Sequence, residues 1–496
     1  MWTSLKILLL VTRLSRLGVI DLMASRIKIP TLLKPFLIIL RICSRGRWTA
    51  KPLAIVDLPI VIENLGPAFV KFGQFLATRG DLVGQDIQTA LGRLQDRMAA
   101  TPEHEVRTRI ETILSRPTDD IFLEFGPSVA AASLAQVHFA ILPSGQQVAV
   151  KILRKDIQKR FEKDLRLLKT IATIAELMIP TCRRLRPRQV VEVLRSWVVE
   201  ETDLRMEAAA MSHYADALAD IPGFVVPEPL WDYCDRELLV TTRMVGVPLT
   251  RWDDIEKMDV DHTKIANSLI ELFLTTATRG GIFHGDMHPG NIFIREDGMI
   301  ELLDFGLMGR IDEATSRYLA EILHGFLERD YDRVAQLHFE AGYVPAHQSQ
   351  SAFAQSLRSV GEPIFGRSSS EISMGRVLQQ LFSITEQYGM ETQPQLILLQ
   401  KTMMTVEGVA RSLSPNTNIW EAARPAIEDW MRRSLGPVGR VRQLITLTEK
   451  AGTWLDKELS RQNTYQKKHI PESFYVGLLC GLSLGLLMTI IFLYLD

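Results

Sequence analysis

Two short stretches carry groups suited to phosphate and metal chemistry. "HGDMHPGN" sets Asp286 and Asn291 five residues apart, and "LDFG" supplies Asp304 further on. A hard cation bound to phosphates needs rigidly held oxygen ligands, which an Asn291 amide oxygen and an Asp304 carboxylate provide. Asp286 can orient an attacking hydroxyl or water, or accept its proton. Between the two metal ligands, the alternating runs "NIFI" and "IELL" flank "EDG", which predicts a short hairpin. A third stretch, "QVAVKIL", puts Lys151 on a strand. A lysine that pairs with phosphates needs an acid to hold its ammonium. Glu201, Asp203 and Glu207 in "EETDLRMEAAA" are the candidates. On a helix Asp203 and Glu207 share a face while Glu201 points elsewhere, and Glu207 is the expected partner.

These groups must be carried by a particular order of elements. Residues 52 to about 115 read as helical, and 120–155 as short strands, with "PSGQ" turning between "HFAIL" and "QQVAVKIL". Helix returns over 156–215, "ELLVTTRM" is another strand, and the remainder is mostly helical. The aspartate-to-asparagine spacing is that of a protein-kinase catalytic loop. The second aspartate falls where a kinase DFG belongs, and Lys151 where the kinase strand lysine belongs. The expected fold is therefore α+β, a two-lobed protein-kinase-like fold. After Asp304 the chain turns to helix within about ten residues and no A-P-E follows, so a peptide-docking platform is poorly supported.

The stretch before Lys151 is the exception. A kinase has a glycine-rich loop there, and this chain has "AAASLAQVH". Ala130, Ala131 and Ala132 forbid most of glycine's conformational range and favour helical angles. Ser128 or Ser133 could cap a helical turn whose N–H groups face an anion. The loop is expected to form a stiff lid that places the γ-phosphate poorly for transfer to a protein.

"AAASLAQVH", "KFGQ", "EETD", "HGDMHPGN" and "LDFG" together resemble the UbiB family of atypical protein-kinase-like proteins, linked to ubiquinone biosynthesis. The resemblance runs from about residue 60 to 320. It implies an atypical kinase or ATPase that binds ATP or ADP with Mg²⁺ under the alanine loop, through Ala130, Ala131, Ala132, Ser133 and Lys151. It also implies that the "KFGQ" helix (Lys71, Gly73, Gln74) lies over the nucleotide and that Lys71 meets Glu201 and Asp203. Spacing alone puts Lys71, Gln74 and Thr78 on one helical face, which without the family would read as solvent-facing. Two other readings stay open: a catalytically silent nucleotide-sensing scaffold, and a true phosphotransferase acting on a small molecule or protein.

The ends point to a membrane. Residues 474–495 are 22 uncharged residues, a helix of about 33 Å against a hydrocarbon core of about 30 Å. Lys467, Lys468 and His469 precede it, which orients the bulk of the chain to the cytoplasm. Gly477, Gly481 and Gly485 recur every four residues and suit a homodimer contact. Residues 1–51 hold ten Lys or Arg against one acid. They read equally as a basic amphipathic membrane segment or a helix packed on the body, and the Arg-rich start also resembles a mitochondrial presequence. Cys43, Cys182, Cys234 and Cys480 lie far apart, which speaks against a disulfide framework or zinc site. The reading by segment is a basic segment 1–51, a helical extension 52–117, an N-lobe 118–246, a C-lobe 247–466 and a transmembrane helix 474–495. Expected partners are membrane lipids, lipid-like quinone precursors and other ubiquinone-biosynthesis enzymes, with no nucleic acid. The expected location is the cytoplasmic membrane, with the mitochondrial inner membrane as the alternative.

Overall fold

The computed structural model describes residues 54–63, 65, 67–77, 84–94, 100–132, 134–178, 187–365, 380, 384, 387–390 and 394–435. Segments 1–51 and 474–495 (with Gly477, Gly481 and Gly485), Thr78 and Ser133 lie outside them. Among the described residues no helix is long and apolar enough to cross a membrane.

The chain forms two compact units. The first takes the chain up to Val260 together with His284–Met308, and the second takes Asp261–Phe283 and the chain from Gly309 onward. In chain order the strands are β1 (Glu124–Ala131), β2 (Ala135–Ile141), β3 (Gln147–Leu153), β4 (Phe224–Val225), β5 (Leu238–Thr242), β6 (Val247–Pro248), β7 (Ile282–His284), β8 (Ile292–Ile294), β9 (Ile300–Leu302) and β10 (Met308–Arg310). The first unit holds a sheet of order β1-β2-β3-β5 and a smaller one of order β4-β9-β8-β6.

The larger sheet is antiparallel throughout, and its two faces serve different ends. On β3, Val148, Val150 and Ile152 are buried and pack with Leu238 and Val240 of β5. Side chains alternate across a strand, so Lys151 is delivered to the opposite face. Helix α4 (Glu103–Leu114) adds Val106 and Ile110 to the same core. Pro102 precedes this helix, and Glu103 and Glu105 fall in its first turn, where the helix dipole favours negative charge.

Among the described residues, α1 (Leu58–Glu63), α2 (Pro67–Ala77) and α3 (Gln85–Leu91) come before α4. They enclose a separate small core of Leu58, Leu91 and Leu94. Following β3 are α5 (Ile157–Met178), α6 (Pro187–Glu201) and α7 (Leu204–Leu218). Helices α5 and α6 are laced by Glu162–Arg195, Lys169–Glu192 and Glu176–Arg188 ion pairs.

The second unit is helical: α8 (His262–Thr275), α9 (Glu313–Leu327), α10 (Tyr331–Glu340), α11 (Gln350–Phe365), α12 (Pro394–Leu413) and α13 (Ile419–Leu435). Helix α8 packs on α12 and α13 and buries Leu269, Leu272 and Phe273 almost completely. It runs on through one π-helical turn to Gly281, whose φ of 61° is left-handed. A side chain there would come within 2.4 Å of the Ile311 carbonyl oxygen, so the close approach needs glycine.

One expectation is overturned. Ala130 and Ala131 are the end of β1, not a helical turn. They pair with Val137 and Gln136 of β2, and Ala132 N–H donates across the tip to the Ala135 carbonyl at 2.8 Å. Cross-strand hydrogen bonds outweigh alanine's helical propensity, which amounts to only a few tenths of a kcal/mol per residue against most neighbours in the ranking. Ser128 caps no helix, since its hydroxyl donates to the Ala130 carbonyl at 3.0 Å. The start of the segment 120–155, expected as strand, is likewise different: Thr118–Ile121 is a single helical turn and β1 starts at Glu124.

Candidate nucleotide site

The charged centre is built from three elements of the first unit. β3 supplies Lys151, α7 supplies Glu207, and the chain after β9 supplies Asp304. Helix α7 is capped by Asp203, whose carboxylate accepts from Arg205 N–H, so Glu207 falls one turn inside the helix. Lys151 Nζ donates to both Glu207 oxygens at 2.7 and 2.8 Å and to Asp304 Oδ1 at 3.3 Å. Glu207 is buried, whereas the Asp304 side chain is 54% exposed.

Burial works against the Lys151 charge, but the Asp304 and Glu207 carboxylates outweigh it and hold the ammonium well above the usual lysine range. The ammonium in turn holds Asp304 well below the usual carboxylate range. Burial pushes Glu207 up, against the pull of Lys151. Asp304 also has a φ of 57°, a left-handed conformation that non-glycine residues rarely adopt. Its Oδ1 accepts from Gly306 N–H at 3.3 Å, a local bond that helps hold this turn. Strained backbone at an exposed, ionised carboxylate is the kind of outlier that functional sites retain.

The loop before β8 is organised by a histidine that the sequence reading did not single out. His284 is buried, and burial lowers its pKa. Its Nε2 donates to the Leu303 carbonyl at 3.0 Å, so Nδ1 is free to accept from Asp286 N–H at 3.2 Å. The neutral ring therefore ties the Asp286 loop to the strand end that leads into Asp304. Asn291 Nδ2 donates to the Asp286 carbonyl at 3.0 Å, and Leu303 N–H donates to the Asn291 carbonyl at 2.9 Å. With its NH₂ group engaged, Asn291 keeps Oδ1 as the atom that can ligate a cation. Asn291 and Asp304 are hard oxygen donors of the kind magnesium takes from protein when substrate phosphates and water complete its shell, so the residues present fit that ion. Asp286 lies 3.7 Å from His288 Nε2 and is partly exposed, so a proton acceptor is accessible there.

Helix α2 contributes a second lysine–glutamate pair. Lys71 Nζ on α2 meets Glu201 Oε1 at the end of α6, at 2.8 Å. Gln74 lies one turn further along α2, partly buried. Asp203, expected beside Lys71, is bound by the Arg205 guanidinium at 2.7 and 2.9 Å in addition to capping α7. Arg205 neutralises it and holds its carboxyl below the usual range, chiefly through those hydrogen bonds.

Two further residues escaped the sequence reading. Val137 pairs directly with Lys151 and so shares its face of the sheet, as does Ala130, which pairs with Val137. Buried Glu301 on β9 accepts from Gly246 N–H at 2.9 Å and Val245 N–H at 3.4 Å, which pins the chain after β5 to the β8–β9 hairpin. A charged residue in the middle of the apolar run "MIELL" was the available signal.

The ABC1 atypical kinase-like domain matches residues 93–338, and the UbiB helical domain matches residues 357–418. The chain is 40% identical over 405 residues to the "Probable protein kinase UbiB" of Marinobacter nauticus, covering 81% of this chain and 74% of the relative. Among solved structures it is similar to Rv3197 from Mycobacterium tuberculosis, solved with erythromycin, with a TM-score of 0.48, 23% identity, and 72% of this chain and 91% of that chain covered. It is also similar to the Rio2 kinase of Chaetomium thermophilum, solved as an ADP/Mg²⁺–phosphoaspartate complex, with a TM-score of 0.26, 14% identity, and 73% and 96% of the two chains covered. The chain belongs to the UbiB family of atypical kinase-like proteins.

Proposed function

We propose that this protein is a membrane-anchored atypical kinase or ATPase that binds Mg-nucleotide beneath the alanine hairpin and supports ubiquinone biosynthesis. The observation that carries the reading is Lys151 held between Glu207 and Asp304, a cation fixed by one buried carboxylate and shared with an exposed one. Lys151 can turn from Asp304 to a phosphate without losing Glu207. Asn291 and Asp304 would hold Mg²⁺, which when bound offsets the phosphate charge. Asp286 would orient a hydroxyl or water and hold its proton. The division into extension, N-lobe and C-lobe belongs to the same reading.

Residues 474–495 anchor the protein in the cytoplasmic membrane, with Gly477, Gly481 and Gly485 as a homodimer contact. The partners are lipid-like quinone precursors, which partition into the same bilayer, and enzymes that act on them.

The test uses the full chain in liposomes. ATP hydrolysis is measured with and without lipid-like phenols, beside Lys151→Met. Phenol-stimulated hydrolysis that Lys151→Met abolishes is the expected result. Tight nucleotide binding with no turnover in any lipid would instead make the protein a nucleotide-sensing scaffold. Transfer of labelled phosphate to a phenol or protein would make it a phosphotransferase. Quinone analysis in a knockout complemented with the same variant tests the pathway.

A further inference from the structure

We propose that Gln136, His138 and Arg154 are positioning residues that clamp the alanine hairpin, and that the clamp sets how fast nucleotide leaves. The second half rests on the nucleotide reading above; the clamp itself does not.

The described residues of the hairpin tip are open to solvent. Ala130 is exposed, and Ala131 and Ala132 are only partly covered. The β1–β2 register shifts twice, between Phe125 and Ser128 and again between Ser128 and Ala130, so the backbone ladder is interrupted just below the tip. Side chains make up the deficit from two sides.

At the base, Gln136 and His138 are buried on the core face of β2, opposite Ile152 and Val150. Apolar residues, Val137 and Phe139, occupy the other face. Placing amide and imidazole in the core costs desolvation unless every polar atom finds a partner, and here each does. Gln136 Oε1 accepts from Thr101 N–H at 2.8 Å, and its Nε2 donates to the Thr101 carbonyl at 3.3 Å and to His138 Nε2 at 2.7 Å. That leaves His138 Nδ1 to donate to the Gly126 carbonyl on β1 at 2.8 Å. The Phe125 ring stacks on His138 at 4.8 Å, with the Arg107 guanidinium 5.1 Å from the Phe125 ring centre. One directional network thus ties the approach to α4, β1 and β2 together.

At the tip, Arg154 Nε donates to the Ala132 carbonyl at 2.8 Å, and Arg154 N–H donates to the Leu134 carbonyl at 2.7 Å. Arg154 stands three residues after Lys151, immediately past the end of β3. The strand that delivers the phosphate-pairing lysine therefore also holds the lid. Lid stiffness has two sources: the methyl groups that restrict the backbone, and a charge-assisted bond that anchors it.

The test is Arg154→Met in the full chain, which keeps the aliphatic stem and removes the guanidinium bond. Amide hydrogen exchange over residues 130–135 is read without nucleotide, and dissociation of fluorescent ADP is read by stopped flow. Both should accelerate about tenfold, as expected for one charge-assisted bond. Arg154→Lys should recover part of the loss, with the thermal midpoint little changed. Gln136→Met should accelerate exchange over the same residues and at Thr101; should it fail to fold, Arg154→Met alone decides. Unchanged exchange in Arg154→Met overturns the clamp. Faster exchange with unchanged ADP dissociation overturns its control of nucleotide. Absence of nucleotide binding by the unaltered protein would defeat the functional reading, and exchange would still judge the clamp.

Discussion

Two lysine–glutamate pairs in the first unit have nearly the same length and different physics. Lys151–Glu207 closes at 2.7 Å, and Glu207 is 7% exposed; Lys71–Glu201 closes at 2.8 Å, and Glu201 is 30% exposed. The first links a central strand to a capped helix and shares its cation with Asp304. The second links the end of α6 to a helix of the extension, whose small core is separate from that of the sheet. A buried pair is costly to break, because removing one partner strands the other in low dielectric. In the second pair Lys71 is as covered as Lys151 but Glu201 is reached by water, so losing one partner costs less than in the first. Equal length therefore predicts different behaviour: the Lys151–Glu207 pair as a fixed post, and the Lys71–Glu201 pair as a latch that gives way more easily.

The largest effects should come from the post. Lys151→Met leaves Glu207 buried without its cation and should destabilise the fold by about 3–5 kcal/mol, besides weakening nucleotide binding by about 100-fold. Asp304→Asn should separate these consequences, since its exposed carboxylate has solvent to replace Lys151. Its thermal midpoint should stay close to that of the unaltered protein while Mg²⁺-dependent nucleotide binding is lost, because a neutral amide is a poor magnesium ligand. Calorimetric titration with and without Mg²⁺ checks both. Retained Mg²⁺-dependent affinity in Asp304→Asn removes that residue from the site.

The latch should behave differently. Lys71→Met should destabilise less than Lys151→Met does, because Glu201 is left partly in water, and should leave Mg-ADP affinity within a few fold. Its effect should appear in turnover or in access of an acceptor, with Glu201→Gln giving the same phenotype. A stability loss as large as that of Lys151→Met would erase the distinction between the two pairs.

The legibility of the sequence follows the same division. Asp286, Asn291, Asp304 and Lys151 were readable because their chemistry depends on residue type and short spacing, which the hairpin between β8 and β9 preserves. Glu207 was readable because helix periodicity sorted three nearby acids. Asp203 was misassigned because its partner Arg205 is two residues away, and local capping outcompeted a distant lysine. The alanine stretch was misread because propensity is local and its partners are not. Gln136 answers to Thr101, 35 positions earlier, and Ala132 to Arg154, 22 positions later. The readable sign was polar Gln136 and His138 alternating in step along a strand, where apolar residues were due.

Protonation offers a smaller test of the post. Asp304 is held below its ordinary 3.8, so its contribution is complete above that value and is lost only as pH falls below it. Lys151 is held above its ordinary 10.5, so its contribution is complete below that value and is lost only at higher pH. The Lys151–Asp304 contact by itself should therefore give no pH dependence across the neutral range. Buried His284 and His338 have pKa values lowered from 6.5 by burial. A lowered histidine favours the folded state above its unfolded pKa and loses that advantage as pH falls through 6.5. Thermal midpoints should thus decline from pH 7 to pH 5.5, and His284→Asn should reduce the slope. An identical slope in that variant would show that His284 is not kept neutral by the fold.

The smallest effect expected is at Gly73, inside α2 between Lys71 and Gln74. A methyl there would sit 2.4 Å from the Leu94 Cδ1 and 3.4 Å from Ile62 Cγ2. Glycine in a helix interior costs about 1 kcal/mol relative to alanine, whereas overpacking a tight contact costs about 1–3 kcal/mol. The offending atom is the end of a flexible side chain, so Leu94 can change rotamer and recover part of that cost. Gly73→Ala should therefore shift stability by about 1 kcal/mol in either direction, read by denaturant unfolding. Because α2 also carries Lys71, any shift of the helix should appear in the latch and not in the post. The variant should alter the same readout as Lys71→Met while Mg-ADP affinity stays at the level of the unaltered protein. A loss of Mg-ADP affinity in Gly73→Ala would mean that the extension bears on Lys151 and Asp304 directly, and the two pairs would then have to be treated as one device.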